Sequence, residues 1–146
     1  MDELLKHWPL VIIPTALYCA IMLAGTRKLE ATYQTLGGRI TSEEDLAVMK
    51  RAINANMKMA VVIFGFIGLY ICLMFYLSFT GYVTLLTTAL YIPLLTTSGL
   101  VVSLLYAKKV EARAKDMVVT AENPQVLQTY RLWVKQWDLL RLKLPE

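Results

Sequence analysis

Few side chains in this sequence are equipped for chemistry, and their spacing points away from catalysis. The only histidine is His7, close to the start of the chain. Its plain reading is a solvated ring at a membrane boundary. A haem held by two histidines of this chain is excluded on that count. Cys19 and Cys72 have no Cys or His at metal-ligand spacing. Both lie in apolar runs without a base or cation beside them, which keeps a thiol protonated and inert, so they read as packing residues. No phosphate-binding glycine loop, nucleophile elbow, zinc motif or dinucleotide fingerprint occurs. The expectation is a protein that is not an enzyme and holds no cofactor or metal of its own.

The hydroxyl groups, by contrast, are patterned. Thr84, Thr87, Thr88, Tyr91, Ser98 and Tyr106 fall within about one third of a helix circumference at about 100° per residue. Two uses stay open for them. They can bond back to their own helix or across to a neighbour, or they can form the wall of a hydrated groove or pore.

The elements that must position these residues follow from hydropathy. With 57% hydrophobic and 18% charged residues, the chain departs from soluble domains, which carry about 45–50% apolar and about 25% charged residues. Three runs lack Asp, Glu, Lys, Arg and His altogether: Trp8 to Gly25, Met59 to Phe79 and Tyr82 to Ala107. At about 1.5 Å per residue each covers the roughly 30 Å hydrocarbon core as a helix. Three segments cannot close a barrel, so helices are the only solution. The predicted fold is an all-α membrane protein with three transmembrane helices.

Orientation comes from lysine and arginine. Lys6 alone precedes the first span, and none separates spans two and three. Arg27, Lys28, Arg39, Lys50, Arg51 and Lys58 lie between spans one and two, and eight more follow span three, from Lys108 to Lys143. The positive-inside rule then sets the N-terminus outside and the first loop and tail in the cytoplasm. The formal charge of +4 suits anionic lipid headgroups and gives no reason to invoke nucleic acid. The acidic start Met1-Asp2-Glu3 and the Arg27-Lys28 pair behind the first span fit an uncleaved anchor better than a signal peptide. A bacterial or archaeal cytoplasmic membrane is the expected location, with an organelle membrane as the other choice.

Outside the lipid the helices should continue. Gly37-Gly38 breaks the first helix, and Thr41 and Glu44 are spaced as a capping box for a second helix from about Ser42 to Phe79. Residues 27–57 thus form a cytoplasmic hairpin within a three-span unit covering 1–119. Residues 120–146 read as a tail whose amphipathic helix starts at Asn123-Pro124. Val126, Tyr130, Trp133, Trp137, Leu140 and Leu144 make one apolar seam, with Arg131 and Lys135 away from it and Leu132, Leu139 and Leu142 on the opposite side. Such a helix either lies on the membrane surface or is wedged between its own bundle and a partner.

Small residues offer helix contacts: Ala16, Ala20 and Ala24 in span one, and Gly65, Gly68 and Cys72 in span two. The leading functional expectation is an accessory or scaffold subunit of a larger membrane complex, such as a respiratory or photosynthetic assembly, contacting other integral-membrane subunits. A second follows from layout. An outside N-terminus, a cytoplasmic hairpin, the Met49, Met57 and Met59 approach to span two and the Phe79-Thr80-Gly81-Tyr82-Val83 turn resemble the minimal core of YidC/Oxa-type insertases. That resemblance implies a hydrophilic groove that receives an incoming polypeptide, with the span-three hydroxyls as its wall. The hairpin here is shorter than the family's coiled coil, and the spans lack the basic groove residue of its bacterial members. A homo-oligomeric pore lined by span three is the third expectation.

Overall fold

The computed structural model describes residues 6–137, 139 and 144. Three of its helices are long and apolar enough to cross a membrane. Helix α1 (Pro9–Thr35) opens on a proline, where a missing N–H is harmless. A second proline, Pro14, lies inside it and has no N–H to offer the carbonyl of Leu10. The Tyr70 hydroxyl of the next helix donates to that carbonyl at 3.0 Å, so the defect becomes an interhelical tie. Helix α1 stops where Gly37 and Gly38 adopt positive φ, with the Gly38 N–H returning to Tyr33 O at 3.1 Å.

Helix α2 (Glu43–Phe79) runs unbroken for 37 residues, about 55 Å at the standard rise. Its cap lies one residue further on than the expected Thr41 and Glu44 pair. Ser42 accepts from the Asp45 N–H at 3.1 Å, and the Asp45 carboxylate accepts from the Ser42 and Thr41 N–H groups at 3.2 and 2.9 Å. The short Asp side chain reaches back to both amides, and Ser42 is still extended at φ −141°. The Thr41 hydroxyl and N–H are the main reason the Asp45 carboxyl is held below its usual pKa. Gly81, at φ +74°, turns the chain between the second and third long helices. Helix α3 (Leu85–Val102) then passes through a π-turn (Ser103–Ala107) into α4 (Lys108–Lys115) as one continuous rod.

The fold is all-helical as expected, apart from one short bridge. Strands β1 (Arg39–Ile40) and β2 (Val118–Val119) pair in parallel, with Thr120 N–H donating to Ile40 O at 2.9 Å. Two residues carry no readable alternation, yet the pair ties the α1–α2 connection to the segment after α4.

Helix α5 (Pro124–Trp137) follows. The described apolar residues of its seam face the protein's own helices. Val126, Tyr130, Trp133, Trp137 and Leu144 join Leu29, Met49, Ile53, Val110 and Ala114 in one core at the end of the bundle away from the Gly81 turn. Contacts along α2 give the direction of α5: Asn123 bonds Glu43, Lys50 Nζ sits 5.1 Å from the Trp133 ring, and Leu144 N–H donates to Asn54 at 2.7 Å. The helix therefore rises beside α2 and completes a four-helix, up-down-up-down lower half. A second core, with Tyr18, Met22, Tyr70, Met74, Tyr91 and Leu95, fills the upper half. There α1 packs along both α2 and α3, which meet each other less extensively.

Candidate functional site

The chemistry-bearing residues stay apart in space. Among the described residues no cluster of His, Cys, Asp or Glu is arranged to hold a metal. Cys19 is half-buried and Cys72 exposed, both as free thiols. The His7 ring lies 5.0 Å from that of Tyr82, so it braces the start of α1 against the turn between α2 and α3.

The hydroxyl stripe divides into two parts. At its top, Thr84 caps α3, its Oγ1 accepting from the Thr87 N–H at 3.2 Å and lying 2.9 Å from the Thr87 hydroxyl. Thr88 donates across to Met74 O of α2 at 3.4 Å, and Thr87, Thr88 and Tyr91 are buried inside the bundle. Lower down, Ser98 bonds Leu95 O at 2.7 Å, and Tyr106 donates to Glu30, which also faces Arg113 at 3.7 Å.

A cleft of about 330 Å³ opens where α2 and α3 part, with α1 as its back wall. Its membrane end is apolar, with Tyr18, Met22, Met59, Ile63, Phe64 and Leu100. Its other end carries Thr26, Asn56, Ser103 and Glu111. Helix α3–α4 supplies Ser103, Ala107 and Glu111 at four-residue steps. Such steps drift by about 40° each around an α-helix, and the wider π-turn takes back part of the drift. Neither Thr88 nor Ser98 lines this cleft. Ser98 faces a different groove of about 390 Å³ between α1 and α3, with Val11, Thr15, Ala16, Cys19 and Leu94. The Thr15 hydroxyl there is buried without a hydrogen-bond partner among the described residues.

The small residues also face differently from a simple packing expectation. Inside the bundle the close contacts belong to Gly25, against Met59, and Gly99, against the Tyr18 ring. Ala16, Ala20, Ala24, Gly65, Gly68 and Cys72 are exposed, and a Cβ on Gly65 or Gly68 would meet nothing within 4 Å. Helical periodicity identifies a shared face but not which neighbour it meets, and a lone glycine such as Gly99 carries no pattern.

On the tail helix, Tyr130, Trp133 and Trp137 are buried, whereas Leu132 and Leu139 are 56% and 48% exposed. Arg131 and Lys135 are exposed, and Lys115 Nζ lies 5.6 Å from the Trp137 ring. The Tyr130 hydroxyl donates to Ala114 O. Burial, then the Asp116 charge, pushes the pKa of this phenol well above its ordinary value. Leu140 and Leu142 lie outside the described residues. No protein-family model, curated protein or solved structure matches this chain, so its function is read from these surfaces.

Proposed function

We propose that the protein is a non-catalytic accessory subunit of a membrane complex, with its N-terminus outside, and that it holds neighbouring transmembrane helices against its lipid-facing small-residue surfaces. The observation that carries this reading is the outward direction of Gly65 and Gly68. A glycine in a helix interior costs about 1 kcal/mol relative to alanine, and a lipid chain gains nothing from its missing side chain. A partner helix does gain, because association in lipid depends on close backbone approach and interhelical hydrogen bonds. The Ala16, Ala20 and Ala24 ladder adds a second such face, bordered by the groove in which the Thr15 hydroxyl lacks a partner. An unbonded hydroxyl in a dry site is costly, and a partner helix supplies the acceptor that lipid tails cannot. In the cytoplasm, exposed Leu132 and Leu139 extend the contact surface.

The insertase-like reading assigned the groove wall to the span-three hydroxyls, and the pore reading used the same stripe. With Thr87, Thr88 and Tyr91 buried within the protomer, neither gains support.

The test is affinity capture from native membranes in mild detergent, comparing the wild type with Gly68→Ile and Ala20→Ile. The wild type should bring fixed integral-membrane partners, and each variant should lose a subset while remaining folded. Capture of the same partners by both variants would refute the reading, as would a wild type that comes through alone.

A further inference from the structure

A groove of about 510 Å³ separates α5 from the end of α4 and strand β2. Its floor is aliphatic, with Met117 and Val119 on one side and Leu127 and Val134 on the other. Around α5 the lining residues are sorted by angle. At about 100° per residue, Leu127 and Val134 lie within about 20° of each other beside the buried seam, and Arg131 and Lys135 follow about 40° and 80° beyond Leu127. Exposure agrees, since Leu127 and Val134 are half-buried and Arg131 and Lys135 exposed. The two cations thus stand on the outer bank of the groove they both line, one turn and about 6 Å apart.

Their charge is not answered within the groove. No Asp or Glu is among its described lining residues, and neither Arg131 nor Lys135 has an ion-pair or hydrogen-bond partner among the described residues. Lys115 differs, being held by Glu111 Oε1 at 2.8 Å. The bank opposite α5 also presents a strand edge. The Val118 and Thr120 N–H groups donate to Gly38 O at 3.3 Å and Ile40 O at 2.9 Å. Alternation along the strand turns the Val119 N–H and C=O away from β1, and β2 has no further strand beside it among the described residues. A lipid headgroup does not reach this depth. Lys115 lies eight residues, about 12 Å, past Ala107, where the third charge-free run ends, whereas the headgroup layer is about 5–7 Å thick.

We infer that the groove docks an extended acidic segment of a partner protein, in which aliphatic residues alternate with Asp or Glu and which adds to β2 as a strand. Charge complementarity selects this occupant. Alternate side chains of an extended segment share a side and stand about 6.6 Å apart, close to the spacing of Arg131 and Lys135. The acids meet the two cations, the aliphatic side chains cover the floor, and main-chain bonds to Val119 fix the register.

The experiment measures fluorescence anisotropy of a labelled peptide, Val-Glu-Val-Glu-Val-Glu, titrated with the purified full chain in dodecyl maltoside, with empty micelles as baseline. It should bind at least tenfold more tightly than Val-Lys-Val-Lys-Val-Lys or Ser-Glu-Ser-Glu-Ser-Glu. Arg131→Gln combined with Lys135→Gln should weaken binding by about tenfold, the worth of two surface ion pairs. Lys28→Gln combined with Lys109→Gln removes the same charge outside the groove and should leave binding intact. A copy of the peptide N-methylated along its backbone keeps every side chain but loses its edge donors, and should bind at least tenfold more weakly. Absence of binding, equal affinity for the acidic and basic peptides, or undiminished binding by the Arg131 and Lys135 variant would overturn the assignment. So would a variant that binds peptide normally but retains less phosphatidylglycerol, which marks the cations as membrane contacts. Equal affinity of the N-methylated copy would overturn the strand addition. The Gly68→Ile and Ala20→Ile variants should keep peptide binding, so their loss of partner proteins bears on the accessory reading alone.

Discussion

Exchanging single glycines for alanine separates inward from outward small residues. At Gly99 an added Cβ would lie 1.7 Å from Cε1 of Tyr18, and also 2.1 Å from Cζ and 2.2 Å from the phenolic oxygen. Ordinary contact begins at 3.4 Å, so the ring must retreat by about 1.7 Å. The ring can retreat only towards the cleft it lines, and doing so gives up its buried position and its stacking on Phe66, with centroids 6.4 Å apart. Overpacking of this kind costs about 1–3 kcal/mol, and disturbing the aromatic pair adds to it. At Gly68 the same methyl meets open space. Both substitutions gain the same helix propensity, about 1 kcal/mol, and that gain cancels in their difference. Gly99→Ala should therefore be less stable than Gly68→Ala by about 1–3 kcal/mol, measured by unfolding in mixed micelles with rising dodecyl sulfate and followed by far-ultraviolet circular dichroism. Equal stability of the two variants would mean that Gly99 is not the packed glycine, and would remove the geometric basis for calling Gly68 outward.

The other predictions concern the half that carries α5 and the orientation. Ser42→Ala should lower stability by about 1 kcal/mol, read as faster amide exchange in the first turn of α2. The depressed Asp45 pKa gives stability that is present at neutral pH and lost as pH falls through the carboxylate range. Asp45→Asn should flatten that acid limb of the unfolding curve. For Tyr130 the sign is opposite: its raised pKa gives stability that is complete below the ordinary tyrosine value of about 10 and lost as pH rises above it. The Trp133 and Trp137 fluorescence should then report release of α5 in alkali, and Tyr130→Phe should abolish this tyrosine-dependent loss. Cysteines introduced at Lys28 and Lys109 should react with a membrane-impermeant maleimide only from the cytoplasmic side, and one at Gly81 only from outside; the reverse pattern would refute the orientation.

The long elements were legible because each rests on a repeated or strong local signal. Three charge-free runs, the Gly37-Gly38 break and the acids opening α2 mark the helices with little ambiguity. What escaped depends on tertiary choice. The four-three spacing of Val126, Tyr130, Trp133 and Trp137 describes a seam equally suited to lipid, a partner or the protein's own core; burial of all four selects the last. The β1–β2 pair is too short for a sequence period, and the π-turn over Ser103–Ala107 has no residue signature by which a sequence would announce it. Asn56, Ser103 and Glu111 left only a faint trace, as polar residues spaced at helical steps across the boundary where the charge-free runs end. The hydroxyl stripe was more conspicuous, and its upper part is consumed by capping and by the bond to Met74 O.

The two halves of the molecule use apolar surface under different rules, and this bears on why small residues face out above while tryptophans face in below. In water, burying Trp133 and Trp137 removes a large apolar area from solvent and drives α5 onto the bundle. Lys50 and Lys115 over the two rings add to that attachment. In lipid no such drive exists, so the upper helices depend on close fit and specific bonds: Gly25 against Met59, Gly99 against Tyr18, and the Tyr70 hydroxyl on the carbonyl freed by Pro14. A glycine that makes none of these contacts brings the upper half no stability. Gly65, Gly68 and the alanine ladder face away from the lower core and take no part in it, which under the proposed function makes those faces available to a neighbour. Disrupting the lower core should therefore unfold the protein, whereas filling the outward faces should leave a folded protein that has lost its partners.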